Sequence, residues 1–426
     1  MTRQMKDSGI EWIGEIPAVW NIRKIFQVFT QVKNKNQGMV ETNLLSLSYG
    51  KIKQKNIETS FGLLPESFET YNIIDKNDIV LRLTDLQNDQ KSLRVGLSTQ
   101  RGIITSAYVT MRAKNPRMAP YLYYLLHTFD IEKGFYGMGD GVRQGLNWDE
   151  LKHLSFVLPS LSEQQKIADY LNEKCGAIEE VIAKTEQSIE EYKKLKQSVI
   201  TEAVTKGVRP NRKMKDSGIA WIGEIPEDFS LIPLKYIAEY NKQTLPETTN
   251  PLYEFDYIDI GSVTYGKGIE NVQTMKFKDA PTRARRVVYK DDVILSTVRT
   301  YLQATAQIMA RSNSIVVSTG FITLTAIKNK VSPTYLKYAI QLDAFISEVE
   351  SKSEGISYPA INPTEVVMIK AIVPPLSEQK EIADYLDKKC AEIDTLIEKK
   401  QKFLTELATY KKSMIYEYVT GKKEVA

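Results

Sequence analysis

LSEQQKIADYLNEKCGAIEEVIAKTEQSIEEYKKLKQSVITEA occupies residues 161–203, with no proline and a single glycine, Gly176. Leu171, Cys175, Ile178, Ile182, Thr185, Ile189, Tyr192, Lys196, Val199 and Ala203 follow one another at alternating steps of four and three. Most of these positions are apolar, and Lys, Glu and Gln fill the faces between them. That is the spacing of a coiled-coil seam sustained over about five heptads. As one helix of about 42 residues it reaches about 63 Å. A single small globule cannot cover a seam of that length, so the helix needs a partner of similar length.

The partner is in the same chain. LSEQQKIADYL at 161–171 returns as LSEQKEIADYL at 376–386, identical in nine of eleven positions. A second seam follows it: Leu386, Cys390, Ile393, Ile397, Lys400, Leu404, Leu407, Lys411, Met414 and Tyr418. Further upstream, MKDSGIEWIGEIP at 5–17 returns as MKDSGIAWIGEIP at 214–226, with one change in thirteen. Between these anchors the copies have diverged while the order of features persists. KNDIVL (76–81) answers KDDVIL (290–295), TSAYVTMRA (105–113) answers STGFITLTA (318–326), and YLYYLL (121–126) answers YLKYAI (335–340). The chain is therefore a tandem duplication of one unit of about 210 residues, a period far too long for a solenoid.

Each copy opens with about 155 residues of short β-branched and aromatic runs broken by Gly, Asn and Asp, with a few helical stretches. A proline joint (VLPSLSEQ, IVPPLSEQ) ends that part, and its Ser-x-Glu-Gln suits a helix start. The expected fold class is α+β, with two pseudo-symmetric mixed α/β domains separated by a pair of long antiparallel coiled-coil helices. The expected boundaries are domain 1 at 1–157, helix 1 at 158–208, domain 2 at 209–372 and helix 2 at 373–426. Leu171, Ile178, Ile182, Ile189, Leu386, Ile393, Ile397 and Leu404 form the expected helix-pair core. A pseudo-twofold axis would place the opening segment beside the end of the last helix (VTGK, 419–422), with Ile10, Trp12, Ile13 and Ile16 docking a globule onto the helices. On that reading the repeated segment is a structural joint, the alternative being a face presented to a partner protein.

The bulk composition and the lack of apolar spans read as a cytoplasmic, soluble chain. It has 426 residues, 42% of them hydrophobic, and a net charge of +4. The first residues hold no apolar signal core, and there is no apolar run long enough to span a bilayer. Two cysteines, Cys175 and Cys390, exclude a disulfide framework and read as small core residues.

Catalytic patterns are absent. Two histidines, His127 and His153, leave no basis for a Cys/His metal cluster. GSVTYGKG (261–268) satisfies G-x-x-x-x-G-K, but Gly268 stands where a phosphate loop needs Ser or Thr. The first copy, LSLSYGKI, has Leu45 in place of the first glycine, so the shared Tyr-Gly-Lys reads as a strand-to-turn element. GMGDG (137–141) reads as a loop. Asp78 and Asp292 read as turn and cap residues. No catalytic residue and no metal ligand is assigned.

Binding remains. Arg82, Lys91, Arg94, Arg101, Arg112, Lys114 and Arg117 outnumber Asp85 and Asp89 in the first copy. Lys276, Lys278, Arg283, Arg285, Arg286, Lys290, Arg299 and Arg311 outnumber Asp279, Asp291 and Asp292 in the second. Arginine holds phosphates and reads guanine edges bidentately. A basic cluster is ordinarily a solvated face, but its recurrence in two diverged copies favours nucleic acid. Tyr49, Lys51, Arg82, Arg94 and Arg101 are the candidates in the first copy. Tyr265, Lys267, Arg283, Arg285, Arg286, Arg299 and Tyr301 are those in the second.

The paired KDSGIEWIGEIP and LSEQQKIADYL segments, with the DIVL/DVIL and TSAYV/STGFI elements, resemble the specificity (S) subunits of type I restriction-modification systems over essentially the whole chain. The resemblance implies two target recognition domains, each reading half of a bipartite double-stranded DNA site, with the helices setting the spacer. It implies docking of two methyltransferase (M) subunits, which use S-adenosylmethionine to methylate adenine N6. Restriction (R) subunits, using ATP and Mg, complete the nuclease. This chain would hold no cofactor, contact no membrane and be non-catalytic by itself. In this family a polar loop before the last strand approaches DNA, which adds Arg143, Gln144 and Asn147 (in 139–147) and Ser357, Tyr358 and Asn362 (in 353–362). The competing readings are a coiled-coil scaffold holding two protein-binding domains and an enzyme of unrecognised type.

Overall fold

The computed structural model describes residues 3–55, 65, 67–86, 93–136, 138, 145–219, 222–309 and 314–425. The chain forms two compact units: Met1–Glu186 with Lys402–Ala426, and Gln187–Gln401. Four helices organise them: α1 (Ala119–Ile131), α2 (Leu161–Lys206), α3 (Pro333–Ile340) and α4 (Leu376–Val419). Both units mix strands and helices as expected for the α+β class, and α2 and α4 each contribute to both.

In the first unit the central sheet runs Phe29–Gln31, Val109–Ala113, Ile79–Leu81, Val95–Leu97, all antiparallel. In the second it runs Ala238–Tyr240, Phe321–Ala326, Val293–Ser296, Thr305–Gln307, in the same order and sense. The duplication read from KNDIVL/KDDVIL and TSAYVTMRA/STGFITLTA is thus a duplication of sheet topology. Tyr121, Leu122 and Leu125 of α1 are buried in one core with Ile79, Leu81 and Met111. Tyr335, Leu336 and Ala339 of α3 share a core with Val293, Leu295 and Ile322. Each such aliphatic or aromatic burial contributes about 1.5–3 kcal/mol.

A second sheet differs between the units. In the second unit it has four strands, Gln273–Lys276, Glu254–Ile258, Ile315–Ser318 and Ala284–Val288, with one parallel pair. In the first unit the corresponding region holds a hairpin (Leu45–Ser48 with Lys51–Gln54) and a strand pair (Asn72–Ile74 with Gly102–Ile104). A lone parallel bridge, Leu44 to Ile103, links them.

Every residue of both predicted seams is buried or half-buried, including all eight named for the helix-pair core. Within the first unit the Tyr170 and Tyr418 hydroxyls lie 3.2 Å apart, and Lys411 Nζ donates to Glu179 at 2.7 Å. Within the second, Lys400 Nζ sits 5.6 Å from the centroid of the Tyr192 ring, and Lys196 Nζ donates to Asp394 at 2.7 Å. In each unit, partners on α4 descend as those on α2 ascend, so the pairing is antiparallel. Lys196 and Lys411 occupy the same repeat position, as do Glu179 and Asp394. These matched charged layers within apolar seams fix register. Cys175 and Cys390 are free and buried.

The repeated motifs now acquire partners. Gln164 and Gln379, both buried, donate to the carbonyls of Pro159 (2.8 Å) and Pro374 (2.9 Å), tying each helix start to the proline joint. Glu163 pairs with Arg3 and accepts from Trp20 Nε1 at 3.0 Å. Glu378 pairs with Arg212, whose guanidinium lies over the Phe229 ring. Ile13, Ile16 and Trp20 are buried with Ile167, Ala168 and Val419, while Ile10 and Trp12 pack alongside. Lys422 Nζ donates to Glu15 O, and Tyr416 donates to Trp12 O at 3.1 Å. The first joint therefore sits against the end of α4, as the symmetry required. Gly421 ends that helix at φ +76°, where a Cβ would strike Pro17 and Trp20. Trp221, the second-copy counterpart of Trp12, lies outside the described residues.

Candidate nucleic-acid interface

The sequence counted basic side chains without their partners, and the structure assigns the partners. Arg94 departs from expectation most clearly. It is fully buried, with Nη1 donating to the carbonyls of Arg82 (3.1 Å) and Thr84 (2.8 Å) and Nη2 to that of Asp85 (3.2 Å). Inside the globule it braces a turn and cannot meet a ligand from solvent. Arg82 is half-buried, and its N–H donates to Arg94 O. Arg112 grips the fully buried Asp78 with two 2.7 Å bonds and Asp75 with another. Those hydrogen bonds, Asp78 first, raise its pKa further. Asp78 also accepts from Asp75 N, and Asp292 from Tyr289 N, which is the turn-capping role read for both. In the second unit, Thr325 stands where Arg112 does and donates to Asp292 at 2.7 Å. Burial raises the Asp292 pKa.

The Tyr-Gly-Lys turns dock on the long helices. Lys51 pairs with Glu179, which Lys411 also holds. Burial works to raise the Glu179 pKa, but the two lysines outweigh it and the net shift is downward. In the second unit Lys196 Nζ donates to Gly266 O at 2.7 Å, and the Tyr265 hydroxyl donates to Gln197 Oε1 at 2.7 Å. Burial, with Asp343 beside it, pushes the Tyr265 hydroxyl well above its ordinary value. Lys267 pairs with its neighbour Glu270, while Tyr49 remains exposed.

Asn147 and Asn362 cap short helical turns, at Trp148–Leu151 and Pro363–Val366, each with a reciprocating glutamate. Arg143 and Gln144 lie outside the described residues, as does most of the GMGDG loop. Arg101 is exposed and pairs with Glu41 and Asp75. Arg283 pairs with Asp259, and Arg285 lies over the Phe277 ring. Arg286 is half-buried, its Nε without a hydrogen-bond partner, and desolvation lowers its pKa.

One group of candidates does come together on the surface. Arg299, in the left-handed region at φ +54°, places its guanidinium 4.9 Å from the centroid of the Tyr358 ring. Its N–H donates to Pro359 O at 2.7 Å, joining the 299–303 turn to the 353–360 hairpin. Tyr301, Ser357 and Tyr358 are all exposed there. A guanidinium stacked on an exposed phenol, with a hydroxyl beside it, suits phosphate and base contacts. Sequence reasoning missed the neighbour that projects furthest, Ile356, because an isolated apolar residue carries no binding signal.

Among the described residues no group of His, Cys, Asp and Glu could hold a metal ion, and no helix is long and apolar enough to cross a membrane.

Comparison with known proteins finds relatives along nearly the whole chain. Residues 226–406 match the family model for the type I restriction modification DNA specificity domain. The type I restriction enzyme MjaVIII specificity subunit of Methanocaldococcus jannaschii is 24% identical over 96% of this chain and 94% of its own length. A second protein of that organism, provisionally named the MjaX specificity subunit, is 26% identical over 97% of this chain and 96% of its own. A chain solved in work on complex assembly and conformational transition of the type I R-M system shares the fold, with a TM-score of 0.68 at 16% identity, covering 96% of this chain and 99% of that one. Over nearly its whole length the chain is similar to type I restriction enzyme specificity subunits.

Proposed function

We propose that this chain selects a bipartite double-stranded DNA target for a type I restriction-modification complex and is not itself catalytic. Each unit reads one half of the target, and the paired long helices set the spacer and dock two methyltransferase subunits. Those subunits methylate adenine N6 with S-adenosylmethionine, and restriction subunits using ATP and Mg complete the nuclease. The observation that carries this reading is the contrast inside each copy. The joint, the proline-capped helix start and the sheet order repeat, while the surface turns that present arginine and tyrosine do not. A repeated frame serves one task twice, and diverged surfaces read different sequences.

The test is to sequence methylated adenines in DNA exposed to the chain assembled with its methyltransferase partner. The expected result is one two-part motif with a fixed gap, bound with a steep salt dependence. Methylation without sequence preference, or binding indifferent to salt, overturns the proposal in favour of a protein-binding scaffold. Methyl transfer by the chain alone would make it an enzyme.

A further inference from the structure

The hairpin at 353–360 carries a side chain that its own fold has no use for. Ile356 is 103% exposed, the most exposed of the large apolar side chains among the described residues, and sits at the tip beside Gly355 at φ +104°. Exposed isoleucines are unremarkable singly, but this one has company. Tyr358 is 62% exposed and Tyr301 is 55% exposed, and both belong to the paired turns that Arg299 joins. The tip is held rather than loose. Glu354 N donates to Ala360 O and Ala360 N to Glu354 O, both at 2.9 Å, and Ile361 N donates to Thr297 O at 2.9 Å. With the Arg299 N–H on Pro359 O, four backbone hydrogen bonds fix the hairpin before anything binds. Preorganisation of that kind removes the ordering cost of presenting a side chain to a partner.

We propose that Ile356 is a wedge that enters a base step of the DNA half-site read by the second unit, an inference that rests on the DNA-reading function above. An aliphatic side chain inserted into a stack unstacks and kinks the step, at a cost that depends on the sequence being opened. Arg299, its guanidinium stacked on the Tyr358 ring, supplies the charge that holds the phosphates beside that step. Specificity then comes partly from how easily a step opens, at positions where no donor or acceptor of the protein meets a base edge.

The experiment uses the full chain assembled with its methyltransferase partner. Its probes are duplexes containing the mapped target, each carrying a single 2-aminopurine, a base whose fluorescence rises when it is unstacked. The expected result is brightening at one step of one half-site, lost in Ile356→Ala and kept in Ile356→Met. Ile356→Ala should weaken binding on the order of tenfold, the scale of one lost base-pair contact, and leave the salt slope and the melting temperature unchanged. Arg299→Ala should instead reduce the salt slope by about one. Salt-dependent binding with no brightening, or with brightening unchanged in Ile356→Ala, overturns the wedge and leaves the DNA-reading function standing. Loss of methyltransferase assembly in Ile356→Ala overturns it by placing the hairpin at a protein interface. No DNA binding by the unaltered complex overturns both.

Discussion

The two joints carry nearly the same thirteen residues yet hold their glutamates differently. In the first, Glu163 is part-exposed, paired with Arg3 and hydrogen-bonded by the Trp20 indole. In the second, Phe229 replaces that tryptophan in the repeat and has no donor to offer. Glu378 is fully buried, and Arg209 approaches it to 4.0 Å in addition to Arg212. Without that N–H, Glu378 Oε2 has no hydrogen-bond partner, and Arg209 spends its hydrogen bonds on Glu381. A buried carboxylate costs several kcal/mol unless it is paired, so the second joint depends on its arginines more than the first.

That dependence sets the largest expected effect. Arg212→Ala should cost the second unit about 3–5 kcal/mol, whereas Arg3→Ala should cost the first about 1–2 kcal/mol because Trp20 and solvent still serve Glu163. Unit-resolved hydrogen exchange under increasing denaturant would measure both. Equal losses would break the comparison. Next comes the strand-turn aspartate, held by Arg112 in one unit and Thr325 in the other. Arg112→Thr imposes the second unit's solution on the first and should cost about 2 kcal/mol, since Asp78 keeps the Asp75 N–H but loses its cation. An unchanged denaturation midpoint would mean that the two solutions are interchangeable.

A third contrast is electrostatic. His127 and Asp130 of α1 are titratable, but the second unit has Gln341 and Ala344 at the matching places. Burial, with Lys411 next, pushes His127 down to about 4 from an ordinary 6.5. The unfolded chain therefore takes up a proton first, and this contribution to stability is lost as pH falls from 6.5 towards 4. Burial pushes Asp130 up to about 6 from 3.8. Its ionised form costs stability above pH 6, and the cost fades as pH falls towards 3.8. The two slopes oppose each other within one helix. Asp130→Asn should steepen acid destabilisation by on the order of 1–2 kcal/mol, and His127→Gln should reverse the slope. Denaturation midpoints followed through that window would show it, and parallel curves for all three proteins would refute it.

The smallest effects concern the Tyr-Gly-Lys docks. Lys196 is nearly buried where it meets Asp394 and Gly266 O, so Lys196→Ala should cost about 1 kcal/mol. Lys51 is exposed against Glu179, so Lys51→Ala should cost a few tenths of a kcal/mol, about the worth of a surface pair. The same unfolding measurements would rank the two.

The fold was legible because its signals are periodic and duplicated. A three-four seam needs no knowledge of the globules to be read, and two matching motifs locate both helix starts. The candidate interface was far less legible, since a basic residue in sequence carries no record of its partner. Arg94 and Arg112 added to the same basic segment, yet one braces a turn from inside and the other neutralises Asp78. Tyr265 stood among the nucleic-acid candidates, and its hydroxyl is a tether to Gln197. Ile356 gave no signal, because its exposure depends on a hairpin closed by backbone hydrogen bonds.

By itself, then, the sequence determined the duplication, the α+β class, the antiparallel long helices and the meeting of the first joint with the last helix, all consequences of hydrophobic period and repeat symmetry. Only the tertiary structure decided which charges are free to meet a ligand, because an ion pair or a buried guanidinium is set by the meeting of residues far apart in the chain.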